Sequence, residues 1–270
     1  MMTRNERAVK LDLSVDYANA DFIPDAAEYP PRWLAKAAEF RAQLGSRARC
    51  GIPYGDTPRQ TFDLFLPETT PVGLLVFIHG GYWLDFSATH WSHFAARAVV
   101  GDRAVAMPSY TLAPQVRIHQ ITAEVAAAIT AAAAIIDGPI VITGHSAGGH
   151  LSARMACTDI ALGWGDRLAR VVPISPVADL RPLMFTDMNA QLHIDQSEAE
   201  TESPALLPRH ADVDCTVWVG AQERPAFLWQ ARTLSENWDC PWHAAPGKHH
   251  FDVLDDLEDS ESLLIQTLLD

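Results

Sequence analysis

The sequence predicts an α/β fold with a mostly parallel central sheet and helices on both of its faces. Short, continuously apolar runs recur along the chain, as expected of strands that are buried on both faces. Helix-like stretches lie between these runs, and such alternation is typical of parallel sheets with crossover helices. The 270 residues are 48% hydrophobic and 20% charged, a composition that supports one large core. We therefore expect a single domain over residues 1–270.

The predicted elements follow one another in a regular order. A helical, peripheral segment is expected over residues 1–47, where Pro30 precedes a helix-like run and Gly45 ends it. Two short strands come next, the second with alternating Phe62, Leu64 and Leu66. The predicted strands are 48–53, 60–66, 74–78, 103–107, 139–143, 171–174, 216–219 and 242–245. The predicted helices are 90–100, 118–136, 147–157, 226–238 and 252–268.

One connection, residues 177–212, is much longer than the others. It contains apolar side chains such as Leu180 and Leu183, followed by an acidic stretch at 195–202. Connections of this length inside a compact domain are usually lids or insertions. We expect a small cap over the carboxyl edge of the sheet, and a plain surface excursion is the alternative.

The charge of the chain argues against two classes of partner. The formal net charge is −14, from 34 acidic and 20 basic residues. Such a surface repels phosphate backbones and anionic membranes, so a small-molecule substrate is expected, with no nucleic-acid or membrane partner. Residues 1–16 contain no apolar core of a signal peptide, which predicts a cytoplasmic protein. A homodimer is compatible with the sequence.

The cysteines and histidines show no metal-binding pattern. Cys50, Cys157, Cys215 and Cys240 are far apart and include no CxxC pair, which predicts free and mostly buried thiols. HExxH and other close ligand sets do not occur. We expect no metal and no other cofactor.

Residues 144–148, GHSAG, match the G-x-S-x-G motif. An apolar predicted strand ends directly before them and a small-residue predicted helix begins directly after Ser146. This context is that of the nucleophile elbow in the α/β-hydrolase fold, where a sharp turn exposes the serine hydroxyl above the sheet. The following helix N-terminus supplies positive potential and free N–H groups for an oxyanion. The pattern predicts Ser146 as a nucleophile.

A second glycine motif, HGGYW at residues 79–83, follows the strand predicted at 74–78. In the α/β-hydrolase fold, a loop of this kind supplies the second set of oxyanion donors. By analogy, the amides of Gly81 and Tyr82 act together with that of Ala147. A glycine turn with an aromatic side chain packed beneath it is the alternative.

The general base is expected late in the chain, because the triad order in this fold is serine, acid, histidine. His249 and His250 follow the last predicted strand, and their position alone does not separate them.

The acid is expected after the seventh predicted strand, where Glu223 stands. A glutamate in this place orients the imidazole and stabilises the imidazolium. A surface glutamate paired with Arg224 is the alternative. Asp212 and Asp214 precede the strand, at the wrong end of the sheet, and Asp252 adjoins the histidine pair.

Further motifs extend over most of the chain. They are PYGD at 53–56, FDLFLP at 62–67, HGGYW at 79–83, Tyr110, Ala113–Pro114, GHSAGGHL at 144–151, ERPAF at 223–227 and HFD at 250–252. On these segments the chain resembles the kynurenine formamidase (arylformamidase) family of α/β-hydrolases, from about Tyr17 to the C-terminus. That family has an acidic residue, a variable residue and proline at Glu223, and His-Phe at His250. The resemblance therefore implies that His250 is the base and Glu223 the acid.

The resemblance also implies acyl transfer through an acyl-enzyme. Ser146 attacks a carbonyl while His250 takes its proton, and the amides of Gly81, Tyr82 and Ala147 bind the oxyanion. For the family substrate, N-formylkynurenine, the acyl group is formyl and the leaving group is an aryl amine.

The substrate pocket is the least defined part of the predicted site. Trp83, Tyr110 and His145 are candidates for it, and Tyr82 joins the two aromatic ones as a potential wall. Packing beneath the loop is an equal alternative for the aromatic residues. A general carboxylesterase or thioesterase with the same triad is the second functional hypothesis, and a non-catalytic binding protein on a hydrolase fold is the third.

Overall fold

The computed structural model describes residues 11–269, so the sequence-based expectations for residues 1–10 lie outside it. Within these residues nine strands form one sheet. The strands are β1 (Ala48–Pro53), β2 (Thr61–Phe65), β3 (Leu74–Ile78), β4 (Ala104–Pro108), β5 (Ile140–His145), β6 (Leu168–Ile174), β7 (Asp214–Cys215), β8 (Val217–Gly220) and β9 (Trp242–Ala245). Their order across the sheet is β1-β2-β4-β3-β5-β6-β8-β9, with β7 beside β6.

The sheet is mostly parallel, as predicted. β1 and β2 pair antiparallel with each other, and β2 pairs antiparallel with β4. All pairs from β4 to β9 are parallel. β6 begins three residues earlier than its apolar run predicts, because Ala169 and Arg170 are not buried and interrupt the pattern.

The described helices are α1 (Ser14–Tyr17), α2 (Tyr29–Leu44), α3 (Ala96–Val100), α4 (Ile118–Ala133), α5 (Ala147–Arg154), α6 (Asn189–Leu192), α7 (Gln196–Thr201), α8 (Pro225–Trp238) and α9 (Leu263–Leu269). The long helix predicted over 252–268 is in fact a 3₁₀ segment, Asp252–Leu257, followed by α9. The polar residues 258–262 separate the two pieces, since Asp and Ser favour turns over helix interiors. None of the helices in residues 11–269 is long and apolar enough to cross a membrane.

The hydrophobic core lies on both faces of the sheet. Along β3 the side chains of Leu74, Val76 and Ile78 belong to one cluster, and those of Leu75 and Phe77 belong to the other. Helices α4, α5 and α8 cover the first face, and α2, α3 and α9 cover the second. This three-layer arrangement explains why β3 reads as a continuous apolar run.

The four cysteines are free, in line with the sequence-based expectation. Cys157 and Cys215 are buried, Cys240 is partly buried and Cys50 is exposed.

Candidate active site

Ser146 stands at the turn between β5 and α5. Its backbone has φ 57° and ψ −114°, a conformation that a non-glycine residue adopts only when the surroundings impose it. Part of that constraint is the hydrogen bond from its amide to the Ile174 carbonyl, at 2.9 Å. The close packing of α5 on β3 is another part, since a Cβ on Gly148 would lie 1.9 Å from the Ile78 carbonyl oxygen.

The loop after β3 lies directly against this turn. A Cβ on Gly80 would lie 2.7 Å from the His145 carbonyl oxygen and 3.2 Å from the Ser146 Cβ. Gly81 has φ 107°, a backbone conformation that residues with a side chain rarely adopt. Within the described part of the chain, the backbone N–H groups of Gly81, Tyr82 and Ala147 donate to no protein acceptor. These amides are therefore free to bind an anionic oxygen beside Ser146.

His250 and Glu223 form a buried pair. The distance from His250 Nδ1 to Glu223 Oε2 is 2.6 Å, and both residues are less than a tenth exposed. The other carboxylate oxygen of Glu223 accepts hydrogen bonds from the Ser175 hydroxyl and from the Gly220 amide, the latter at 2.8 Å. These bonds fix the carboxylate, which in turn fixes the ring of His250.

The neighbouring His249 has other partners. Its Nδ1 accepts from the amides of Phe251 and Asp252, and its Nε2 is 3.2 Å from the Tyr29 hydroxyl. The Asp252 carboxylate accepts from the His249 amide at 2.6 Å. His249, the alternative base that the sequence left open, is thus occupied in holding the loop together with Asp252.

His145 lies against His250, the predicted base. Its Nε2 donates to the carbonyl oxygen of His250 at 2.8 Å, and the two ring centroids are 4.6 Å apart. Burial, followed by the proximity of His250, lowers the pKa of His145 well below its usual value, so the ring is neutral. The sequence placed His145 near the site but did not reveal this contact. It did not reveal Ser175 either, although a serine directly after a buried strand is a signal that could have found it.

A cavity of about 540 Å³ contains the predicted nucleophile and base. Gly81 and Tyr82 line it together with Ser146 and His250. The other lining residues are Ala20, Asp21, Ala26, Ala27, Pro30, Trp33, Leu84, Asp85, Phe86, Trp91, His145 and Phe251. Most of these side chains are apolar, and a volume of several hundred Å³ is typical of pockets for small ligands.

The cover of this cavity differs from the expectation. The segment predicted to be peripheral, within residues 1–47, supplies six of the lining residues, from Ala20 to Trp33. The segment 177–212, predicted as the cap, supplies none of these residues, but its Asp187 and Met188 line a smaller cavity that adjoins this one. Elsewhere in the segment Glu198 pairs with Arg117, and Glu202 pairs with the buried Arg154. The length of that segment did not reveal that residues 20–33 line the cavity, because chain length does not specify where a segment docks.

Two of the three residues that the sequence suggested for the substrate pocket are buried outside the cavity. Trp83 and Tyr110 are fully buried and do not line the cavity within the described residues. Trp83 packs edge-on against His150 with centroids 5.1 Å apart. Tyr110 stacks on His79 at 4.3 Å and donates its hydroxyl to the His79 carbonyl. Burial lowers the pKa of His79 to about 3, so this stack is an uncharged support for the loop of residues 79–83.

The comparisons with known proteins agree with this geometry. The family described as having the alpha/beta hydrolase fold matches residues 75–230. The kynurenine formamidase of Salmo salar is 27% identical over 256 residues, which cover 87% of this chain and 85% of that protein. The crystal structure of a proposed thioesterase from Silicibacter sp. TM1040 is 52% identical, with a TM-score of 0.94 and coverage of 96% of this chain and 100% of that one. Esterase B from Lactobacillus rhamnosis is 19% identical, with a TM-score of 0.67 and coverage of 90% and 94%, which shows a shared fold.

Proposed function

This chain belongs to the α/β-hydrolase-fold family, and we propose that within it the chain is a serine hydrolase that releases a small acyl group through an acyl-enzyme. The observation that carries the proposal is the buried His250–Glu223 pair, at 2.6 Å, whose histidine shares a cavity with Ser146. The free amides beside Ser146 add the donors that a tetrahedral intermediate needs.

In the proposed mechanism the same groups act in two steps, first in forming the acyl-enzyme and then in its hydrolysis. The Ser146 hydroxyl attacks the acyl carbonyl, and Nε2 of His250 accepts its proton because Nδ1 is held by Glu223. The carbonyl oxygen becomes an oxyanion that accepts from the amides of Gly81, Tyr82 and Ala147. His250 then gives the proton to the departing amine or alcohol. Water repeats the sequence on the acyl-enzyme, releasing the acid and restoring Ser146.

An aryl formamide such as N-formylkynurenine is the substrate class that we propose first. Proteins described as kynurenine formamidases, from Salmo salar and Danio rerio, are similar to this chain over 87% of its length. The aromatic lining of the cavity, with Trp33, Phe86 and Phe251, suits an aryl leaving group. An aryl amine also leaves more readily than an alkyl amine, so the machinery of an esterase suffices.

A carboxylesterase or thioesterase with the same residues is the second candidate. It is favoured by the similarity to the proposed thioesterase, which is 52% identical over nearly the whole chain. The two candidates differ in the substrate and share the mechanism.

The test combines active-site labelling with a substrate panel. A fluorophosphonate probe should label the wild-type protein and should not label Ser146→Ala, which should also lose turnover by at least about a thousandfold. Ser152→Ala is the matched control, because Ser152 is a buried serine on α5, the helix that follows Ser146, and within residues 11–269 its hydroxyl bonds to the Gly149 carbonyl alone. Relative kcat/KM on N-formylkynurenine, short aryl esters and acyl thioesters then assigns the substrate. Failure to label the wild type would instead support a non-catalytic binding protein.

A further inference from the structure

The charged side chains around the catalytic cavity share one sign. A second cavity of about 250 Å³ adjoins the first and shares Ala20, Asp21, Tyr82 and Phe251 with it. Apart from the imidazoles, the charged residues that line the two cavities within residues 11–269 are Asp21, Asp85 and Asp187. All three are exposed, so they stand at the solvent-facing side of the lining, and no lysine or arginine of the described chain accompanies them.

These carboxylates are not neutralised by ion pairs. Within the described residues, neither Asp21 nor Asp85 lies within ion-pairing distance of a basic group. The Arg59 guanidinium lies close enough to Asp85 to offset part of its charge, but it donates to the carbonyl oxygens of Tyr110 and Phe86. Asp21 lines both cavities and has no ion pair within the described residues, so it is the carboxylate best placed to act on a bound substrate.

Arg224 is a second arginine of this region, and it contacts the N-terminal segment. The Arg224 guanidinium lies over the Phe22 ring, 3.7 Å from its centroid, and donates to the Val15 carbonyl. Its closest carboxylate is that of Asp16, at 3.9 Å. Arg224 lines neither cavity within the described residues, so it does not reach the space in which an anionic substrate group would lie.

The cavity floor adds a second preference. Trp33, Phe86, Trp91 and Phe251 surround the space in front of Ser146. The faces of aromatic rings attract cations and accommodate apolar rings, whereas the same negative faces repel an anion. The aromatic side chains and the acidic lining therefore both favour a positive charge on the substrate.

We propose that this cavity selects aryl substrates that are uncharged or carry a cation, that it disfavours anionic ones, and that Asp21 is the main specificity-determining residue. The inference rests on the proposed hydrolase function and narrows its substrate class. A coenzyme A thioester, whose phosphates carry several negative charges, is disfavoured at this site. In an amino-acid substrate the ammonium group is favoured, and the carboxylate finds no cation in the described lining.

Three phenyl acetates that differ in charge test the proposal. Their 4-substituents are trimethylammoniomethyl, ethyl and carboxymethyl, and each kcat/KM is divided by the rate of hydroxide-catalysed hydrolysis to remove intrinsic reactivity. The wild type should prefer the cation over the anion by about tenfold, and 0.5 M NaCl should reduce that ratio. Asp21→Asn should lower the cation-to-anion ratio about threefold.

Asp25→Asn is the matched control. Asp25 is an exposed carboxylate four residues away that does not line the cavity, and its left-handed backbone, with φ 53°, suits asparagine. The ratio should not change in this variant. A wild-type ratio near one, or an equal loss in both variants, would overturn the proposal.

The outcomes also separate this inference from the proposed function. Hydrolysis of the ethyl compound without charge preference contradicts the inference alone. Absence of hydrolysis contradicts the proposed function, and calorimetric binding of benzyltrimethylammonium against phenylacetate then decides the charge preference by itself. Equal or tighter binding of phenylacetate would overturn it.

Discussion

His145 connects the strand that precedes Ser146 to the loop that carries His250. It ends β5, next to Ser146, and its Nε2–H holds the His250 carbonyl at 2.8 Å. The ring is buried and neutral, so the contact is a hydrogen bond between uncharged groups in a dry environment. We therefore regard His145 as a positioning residue that fixes the distance between the two catalytic side chains.

His145→Leu should lower kcat by about ten- to a hundredfold and leave KM nearly unchanged, because a small displacement of a catalytic group costs a factor of this order. The measurement is steady-state kinetics on an aryl ester across pH 6–9. His145→Gln is the conservative variant, since its amide nitrogen can replace Nε2 as the donor, and it should recover most of kcat. If leucine and glutamine reduce kcat equally, the hydrogen bond does not position His250.

Ser146 and Glu223 were accessible from the sequence because each follows a strand, whereas position left His249 and His250 open and only the family resemblance favoured His250. Ser146, Glu223 and His250 come directly or within a few residues after β5, β8 and β9, at the edge where parallel strands place their carboxyl ends. Burial is not readable in the same way. Trp83 and Tyr110 lie in or near the motifs, yet their rings are buried in the core. Only tertiary packing decides whether such a ring lines the cavity or packs beneath the loop.

At the scale of elements, α2 is the part of the N-terminal segment that joins core and cavity. Trp33, on its first turns, is 2% exposed and packs on Trp91 with ring centroids 4.8 Å apart. Phe251, which follows His250, packs against the Trp33 indole with ring centroids 5.4 Å apart. The helix therefore supports the histidine loop as well as covering the substrate space.

Trp33→Ala should lower the free energy of unfolding by about 3–5 kcal/mol, because it removes a large buried side chain, and should raise KM for aryl substrates. Urea unfolding and steady-state kinetics measure the two effects. Leu34→Ala on the same helix is the control, since Leu34 is 42% exposed, and it should change stability by less than about 0.5–1 kcal/mol. An unchanged KM in Trp33→Ala would contradict the role of α2 as a cavity wall.

Strands were easier to predict than helix ends and long connections. β3 and β9 have the predicted bounds because apolar runs bounded by turn residues depend only on local sequence. The break after Leu257 and the docking of residues 177–212 depend on contacts made elsewhere. For example, Glu198 binds Arg117, just before α4, and Glu202 binds Arg154 in α5. The sequence around the two glutamates does not indicate these partners.

At the scale of the whole molecule, several buried histidines tie stability to pH. His79, His93, His145 and His150 are all at most 5% exposed. Burial lowers the pKa of His79, His93 and His150 to about 3 and that of His145 well below its usual value. These rings stay neutral in the folded protein, whereas in the unfolded chain each binds a proton below a pH of about 6.5. The unfolded state thus binds more protons, and stability falls as the pH falls from about 6.5 towards 3.

His93 isolates this effect because neither of its ring nitrogens has a partner in the described structure. In His93→Leu the buried position no longer titrates, so between pH 7.5 and 5.5 this variant should lose about 1.4 kcal/mol less free energy of unfolding than the wild type. Urea unfolding at both pH values measures the difference, and both lie above the isoelectric point of about 5.1, where solubility is retained. His210→Gln removes an exposed imidazole and should follow the wild-type pH dependence. If His93→Leu also follows it, the His93 ring is not held neutral by burial.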